Sequence, residues 1–199
     1  MAVLVLTVDQ RGSRRGPDLV PVALERLAVV PALRAFERTA GDELQGVLDD
    51  PASLPLALEP LLRAQAWSIG VGIGAVDLPL AGHARAGSGT AYLRARTAVT
   101  GAKTGPWHVR VDGDTPAARQ LESALWLWAS VLARRTARGW EVADLVDEGR
   151  TYDEAARLLG ISQSAVSQRA QAAGIVEGRR ARELVTHLAV GALAEDRLP

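Results

Sequence analysis

Cysteine is absent from this chain of 199 residues, and so are long apolar runs and any excess of one charge. Without cysteine, disulfides and thiolate metal sites are excluded. No stretch approaches the roughly 18 apolar residues of a membrane span. The N-terminal MAVLVLTVD lacks the basic leader and the cleavage site of a signal peptide. We therefore expect a cytoplasmic protein that has no membrane partner.

The formal net charge is +0, and 48% of the residues are hydrophobic. This composition predicts a folded globular chain and not a disordered one. A neutral total neither supports nor excludes nucleic acid as a partner, because a local basic face is sufficient for binding. The length allows one large domain or two small ones.

Strand and helix patterns alternate through the first part of the chain. Strand patterns occupy 2–9, 32–39, 43–48, 67–79 and 107–111, and helical patterns occupy 19–30, 52–65 and 92–102. Pro55 and Pro60 predict that the second of these helices is short or broken. The order of elements predicts an α+β fold whose N-terminal domain has the split βαβ arrangement of a ferredoxin-like sheet.

The strand pattern at 67–79 has two unlike faces. Alternation puts large or apolar side chains on one face and glycines on the other, at Gly70, Gly72 and Gly74. A bare face lets another backbone, a helix or a ligand approach closely. These glycines lie inside a strand and not after one, so they are not a dinucleotide fingerprint. Close packing is the role that we expect for them.

The composition shifts near residue 115, which predicts two domains, 1–115 and 116–199. The second domain shows helical patterns only, at 116–137, 139–149, 151–160 and 162–174 and in an arginine-rich tail. We therefore expect an all-α C-terminal domain.

The stretch TYDEAARLLGISQSAVSQRAQAAGI predicts two helices joined by a tight turn. Gly160 suits the turn, because glycine adopts positive φ easily. Ile161 fills the corner, and Ser162 is a good N-cap for the second helix. Val166 and Ala170 are then expected to face the core. The stretch resembles the helix-turn-helix of many bacterial regulators, including sigma-factor-type and MarR-type readers.

The outer face of the second helix is polar. Its residues carry donors and acceptors of the type that read base edges in the major groove: Gln163, Ser164, Ser167, Gln168 and Gln171. Arginines around the motif are candidates for phosphate contacts, which position a protein on DNA without reading sequence. They are Arg157, Arg169, Arg179, Arg180 and Arg182. The alternative is a helical hairpin used only for packing or dimerisation.

Four short stretches of the first domain form an ordered set. They are VDQRGSR at 8–14, GDELQG at 41–46, IGVGIG at 69–74 and GTAYLRAR at 89–96. Their order and spacing resemble the SatD-like family of bacterial proteins and, more remotely, the catalytic domain of class III nucleotide cyclases. The resemblance covers about residues 3–100.

The cyclase resemblance implies a role for several residues. Asp9 and Asp42 match the two metal-binding aspartates, which implies Mg²⁺ as a cofactor. The resemblance also implies a ligand site, in which Gly12 and Ser13 offer groups to a phosphate and Arg96 matches the transition-state arginine. Tyr92 stands near the position of the cyclase asparagine.

The sequence departs from the cyclases at two points. The base-reading lysine has no counterpart, since residues 37–40 read ERTA, and the asparagine is missing. These departures favour a sensor of a nucleotide or phosphate ligand, or a degenerate scaffold, over a cyclase. From the residues alone, Asp9 and Asp42 are also explained as ordinary turn residues, because an Asp often caps the turn after a strand and Gly-Asp is common in hairpins.

Three functions follow from these patterns. The first is a DNA-binding transcriptional regulator, expected as a homodimer that reads two half-sites of double-stranded DNA about one helical turn apart. The second is a metal-dependent enzyme that acts on a nucleotide and carries an accessory helix-turn-helix. The third is a structural or dimerisation module. The sequence favours the first, because the helix-turn-helix is complete and the catalytic set is not.

Overall fold

The computed structural model describes residues 1–79 and 81–196. Within that part, the fold is mixed α+β and contains one five-stranded sheet. The strands are β1 (Ala2–Gln10), β2 (Arg34–Arg38), β3 (Glu43–Leu48), β4 (Trp67–Ala75) and β5 (Val109–Asp112). The α-helices are α1 (Val20–Leu27), α2 (Ser53–Ala64), α3 (Thr90–Ala102), α4 (Pro116–Ala133), α5 (Ala137–Asp147), α6 (Tyr152–Leu159), α7 (Gln163–Ala172) and α8 (Ile175–Glu195).

The sheet has the strand order β2-β3-β1-β4-β5. Strand β1 lies at its centre and pairs antiparallel with β3 and with β4, and β2 pairs antiparallel with β3. Strand β5 runs parallel to β4, as the crossover through α3 allows. The end of β1 therefore lies at the same edge of the sheet as the starts of β3, β4 and β5, with Asp9 paired to Glu43 on one side and to Ser68 on the other.

The glycine face of β4 lies directly against the backbone of α3. A Cβ atom at Gly70 would stand 2.2 Å from Val99 N, and a Cβ at Gly72 would stand 2.1 Å from Ala91 O. The positions of α3 that face the strand are small, with Ala91, Ala95, Ala98 and Ala102 all buried. The expected close packing of the glycines is confirmed.

The opposite face of the sheet is covered by helices from both parts of the chain. One hydrophobic cluster contains residues of β1, α2, α4 and α8, among them Leu4, Leu58, Leu125 and Val185. The predicted boundary near residue 115 coincides with the turn between β5 and α4. Separate folding of 1–115 and 116–199 stays a prediction, and residues 197–199 of the second part lie outside the described residues.

The prediction of a short or broken second helix is wrong, because α2 runs unbroken through both of its prolines. Pro55 lies in the first turn, where a backbone N–H has no acceptor inside the helix. Pro60 lies inside the helix, where its cost is offset by the burial of Leu54, Leu58 and Leu61. Packing here outweighs local helix propensity.

The strand predicted at 107–111 begins only at Val109. Trp107 and His108 have φ angles of 53° and 54° and form a 3₁₀ turn with Pro106. Positive φ is uncommon for residues other than glycine, so no local pattern predicts this turn.

Candidate functional site

A basic cleft of about 910 Å³ opens where β1 ends. Its walls come from the loop after β1, the hairpin between β2 and β3, the start of β4 and the residue after α3. The lining residues are Asp9, Gln10, Arg11, Gly12, Ser13, Arg14, Arg15, Gly41, Asp42, Ser68 and Lys103. Four residues predicted from sequence, Asp9, Gly12, Ser13 and Asp42, therefore come together at one site.

The loop after β1 is fastened by the buried side chain of Gln10. Its Nε2 donates to Pro17 O at 2.7 Å, and its Oε1 accepts from the Leu19 N–H at 2.8 Å. At the tip of the loop, Gly12 has a φ of 71°, and its carbonyl accepts from the N–H groups of Arg15 and Gly16. These bonds hold the loop as a compact turn beside Asp42.

Each carboxylate of the cleft already has a partner in the chain. Asp9 Oδ2 lies 3.1 Å from Lys103 Nζ, and Asp42 Oδ2 accepts a short hydrogen bond from Ser13 Oγ. Among the described residues, no group of three or more His, Cys, Asp or Glu side chains is arranged to hold a metal ion. The Mg²⁺ that the cyclase resemblance implies stays a prediction.

The cations of this cleft are not among the residues predicted from the sequence. Arg11, Arg14 and Arg15 stand in the stretch QRGSRR. Its cluster of positive charge is a local signal for an anion-binding surface. Lys103 lies 94 residues after Asp9, and no local pattern connects the two. With four cations and two carboxylates, the lining favours an anionic ligand.

Two residues implied by the cyclase resemblance lie elsewhere. The guanidinium of Arg96 lies 4.0 Å from Glu43 Oε1, and its side chain is largely exposed outside the lining of the cleft. Tyr92 is buried in a small apolar cluster with Val3, Val5 and Ala95. Burial raises the pKa of the Tyr92 hydroxyl, and that oxygen has no hydrogen-bond partner among the described residues.

A second candidate site lies on α7, which follows α6 after a tight turn. Thr151 and Glu154 form a capping box at the start of α6, and Gly160 ends the helix in a left-handed conformation with a φ of 65°. The side chain of Ser162 caps α7 by accepting from the Ala165 N–H. The expected roles of Gly160 and Ser162 are confirmed. Hydrogen bonds from Thr151 hold the pKa of Glu154 below its usual value.

Helix α7 has one buried side and one exposed polar side. Val166 and Ala170 are buried against the neighbouring helices, as the sequence predicted. The residues expected to read DNA are all exposed: Gln163, Ser164, Ser167, Gln168 and Gln171. Their side chains are therefore accessible to a partner.

The arginines around α7 differ in their surroundings. Arg157 is exposed and has no ion-pair partner in the described part of the chain. Arg169 lies 3.8 Å from Glu141, and Arg180 pairs with Glu183 at 2.9 Å. The remaining two arginines form ion pairs with carboxylates of other helices. Arg179 pairs with Asp147 and donates to Val146 O, and Arg182 pairs with Glu59 and Asp147.

Comparisons of the chain with protein-family models, with curated proteins and with solved structures found no match. The two candidate sites therefore rest on their residues and geometry. Within residues 1–79 and 81–196, no helix combines the length and the apolar character that crossing a membrane requires.

Proposed function

We propose that this protein is a DNA-binding transcriptional regulator that reads base edges with α7 and binds a phosphate-bearing ligand in the basic cleft. The exposed polar face of α7 carries the DNA-binding half of the proposal. The excess of cations in the cleft carries the ligand-binding half.

The shape of α6 and α7 suits insertion into the major groove. A helix-turn-helix lays its second helix in the groove and presents the first residues of that helix to the bases. Gln163 and Ser164 stand in the first turn of α7, and Ser167 and Gln168 lie one turn further along. Glutamine forms two hydrogen bonds with adenine, and serine bonds several bases, so this face suits direct readout.

Arg157 is the strongest candidate for a phosphate contact. It lies on α6, next to the turn that leads into α7, and has no competing ion pair in the described residues. Arg169 and Arg180 have partners that are weak or exposed, which a phosphate would displace at little cost. Arg179 and Arg182 would first have to leave Asp147.

We further propose that β1 to β4 form a ferredoxin-like unit that serves as the sensor, in keeping with the SatD-like resemblance. The order β2-β3-β1-β4 with antiparallel neighbours supports this assignment. The regulator is proposed to act as a homodimer, because two copies of α7 would read two half-sites about one helical turn apart.

A second candidate function is a metal-dependent enzyme that acts on a nucleotide. The observation that favours it is the presence of both Asp9 and Asp42 in one cleft. Divalent-ion-dependent turnover that Asp42→Ala abolishes would support it. Absence of turnover across common nucleotides with Mg²⁺ or Mn²⁺ would exclude it.

The DNA-binding proposal is tested by measuring the affinity for genomic DNA fragments at two salt concentrations. Binding is expected to weaken steeply at the higher salt, because phosphate contacts release counterions. Gln168→Ala is expected to change which fragments are preferred. Gln120→Ala removes an exposed glutamine from α4 and serves as the matched control. Lack of binding to any fragment at low salt would refute the proposal.

A further inference from the structure

Lys103 is the only lysine among the 23 basic residues of the chain. It follows α3 directly, and its Nζ lies 3.1 Å from Asp9 Oδ2 at the wall of the cleft. An ammonium group is a compact point charge with three donors, whereas a guanidinium is a flat fork. The one residue of this kind therefore stands beside the carboxylate that the cyclase resemblance assigns to a metal.

The position of Lys103 is fixed by the backbone. Because Gly70 and Gly72 leave no space between β4 and α3, the helix cannot approach or withdraw without breaking that packing. At the other end of α3, Arg94 is held by Asp114 and by Asp196. Lys103 therefore reaches Asp9 from a rigid support.

Each of the two acids of the cleft has a partner within the protein, whereas most of its cations have no ion-pair partner in the described residues. Lys103 balances Asp9, and Ser13 donates to Asp42. Arg14 and Arg15 are exposed and have no ion-pair partner in the described residues. A divalent cation would have to displace Lys103 from Asp9. An anion would instead meet the guanidinium donors of Arg14 and Arg15.

We propose that the cleft binds a phosphate or pyrophosphate group without a divalent cation, and that the Lys103 ammonium occupies the position on Asp9 that a metal would take. One of its protons bonds Asp9, and the others remain for phosphate oxygens. Arg11, Arg14 and Arg15 supply further donors. This inference rests on the ligand-binding half of the proposed function and opposes the metal-dependent enzyme.

The first experiment is calorimetric titration of the protein with sodium pyrophosphate, in EDTA and in Mg²⁺. We expect binding in EDTA at least as tight as binding in Mg²⁺. Lys103→Met should weaken binding in EDTA by roughly tenfold or more, the loss typical of a charge-assisted bond. Arg119→Met, which removes an exposed cation of α4, should leave the affinity unchanged.

Failure of metal-free binding and failure of ligand binding give different results. Binding that requires Mg²⁺ would overturn the inference and leave the ligand-binding proposal intact. Failure of pyrophosphate to bind in either condition would overturn both. An unchanged affinity of Lys103→Met in EDTA would overturn the role of the ammonium.

The second experiment uses the wild-type protein and does not depend on how a variant folds. Lys103 carries the only side-chain amine, so an acetylating N-hydroxysuccinimide ester marks it alone besides the α-amino group. Pyrophosphate in EDTA should slow acetylation of Lys103, measured by mass spectrometry, and leave the α-amino group unaffected. Equal rates with and without pyrophosphate, or faster acetylation of Lys103 in Mg²⁺ alone, would contradict the inference.

Discussion

Arg63 of α2 and Asp144 of α5 meet in a bidentate ion pair, with N–O distances of 2.7 and 2.9 Å. The same guanidinium lies 4.3 Å from the ring centroid of Trp140, and Arg135 lies 4.6 Å from that ring. Residues 81 positions apart are thus joined. This junction connects α2, which packs on the sheet, with α5, which packs against α7.

The first prediction concerns Trp140, which is 8% exposed. Trp140→Ala should lower the free energy of unfolding by about 3–5 kcal/mol, because it empties a packed site between two guanidiniums. Arg63→Met should cost only about 0.2–1 kcal/mol, since its ion pair is partly exposed. Urea denaturation followed by circular dichroism measures both. Equal losses in the two variants would contradict the assigned role of the ring.

The second prediction concerns the contact between β4 and α3. Gly72→Ala would drive a Cβ atom into the backbone of Ala91 and Ala95, so it should destabilise the protein by about 1–3 kcal/mol or more. Gly82→Ala is the matched control, because a Cβ there meets nothing within 4 Å. Thermal melting of both variants checks this. A Gly72→Ala variant as stable as the control would show that α3 shifts away from β4 to accommodate the added Cβ atom.

The third prediction separates phosphate contacts from base contacts. Arg157→Ala should weaken binding to specific and random DNA alike and lower the salt slope by about 1, as expected when one phosphate contact is lost. Gln168→Ala should instead alter the preference between fragments. Fluorescence anisotropy over a salt series measures both effects. Equal loss for all DNA in Gln168→Ala would contradict the proposed recognition face.

The fourth prediction follows from the buried hydroxyl of Tyr92. Burial raises the pKa of this group in the folded protein above the ordinary value of 10.0. The unfolded chain therefore releases the proton first, and stability falls as the pH rises above about 10. Tyr92→Phe removes an oxygen that has no hydrogen-bond partner among the described residues, so it should be neutral or stabilising at pH 7.

Denaturation of both proteins between pH 8 and pH 11 supplies the measurement. The wild type should lose stability more steeply than Tyr92→Phe at the alkaline end. Parallel curves would mean that the Tyr92 hydroxyl does not titrate differently on unfolding.

The fifth prediction concerns the cap of α6. Hydrogen bonds from Thr151 lower the pKa of Glu154 from the ordinary value of 4.5. The stabilisation that the Glu154 carboxylate contributes is therefore complete above pH 4.5. It is lost as the pH falls through the pKa of Glu154 in the folded protein. Wild type should be more stable than Glu154→Gln at pH 7 and should lose this advantage at acidic pH. A difference in unfolding free energy that stays constant with pH would argue against a contribution from the charge of Glu154.

The parts of the fold that the sequence predicted well are those set by local chemistry. Gly160, Ser162 and the apolar spacing of α7 depend on residues a few positions apart, and all lie as expected. The bare face of β4 likewise follows from alternation alone. Asp9 and Asp42 were assigned to one site through the family resemblance, and both line the cleft.

The parts that the sequence did not predict depend on distant contacts. The continuity of α2 through Pro60 comes from its burial against the core, which no local rule contains. The left-handed turn at Trp107 breaks a strand pattern that looked regular. Lys103 reaches Asp9 from 94 residues away, so the charge balance of the cleft became visible only in three dimensions.

Because of the alternating glycines of β4, the geometry of the cleft can be retained while other residues of the sequence change. The backbone contact with β4 holds α3 in place. The solvent-facing residues of α3 are therefore free to vary without displacing the Lys103 amine at the end of the helix. A distant relative would then be recognised by a short signature: glycine at every second position of a strand, small residues at Ala91, Ala95, Ala98 and Ala102, and a basic residue directly after the helix. Such a signature would identify chains that share this packing and the proposed anion site.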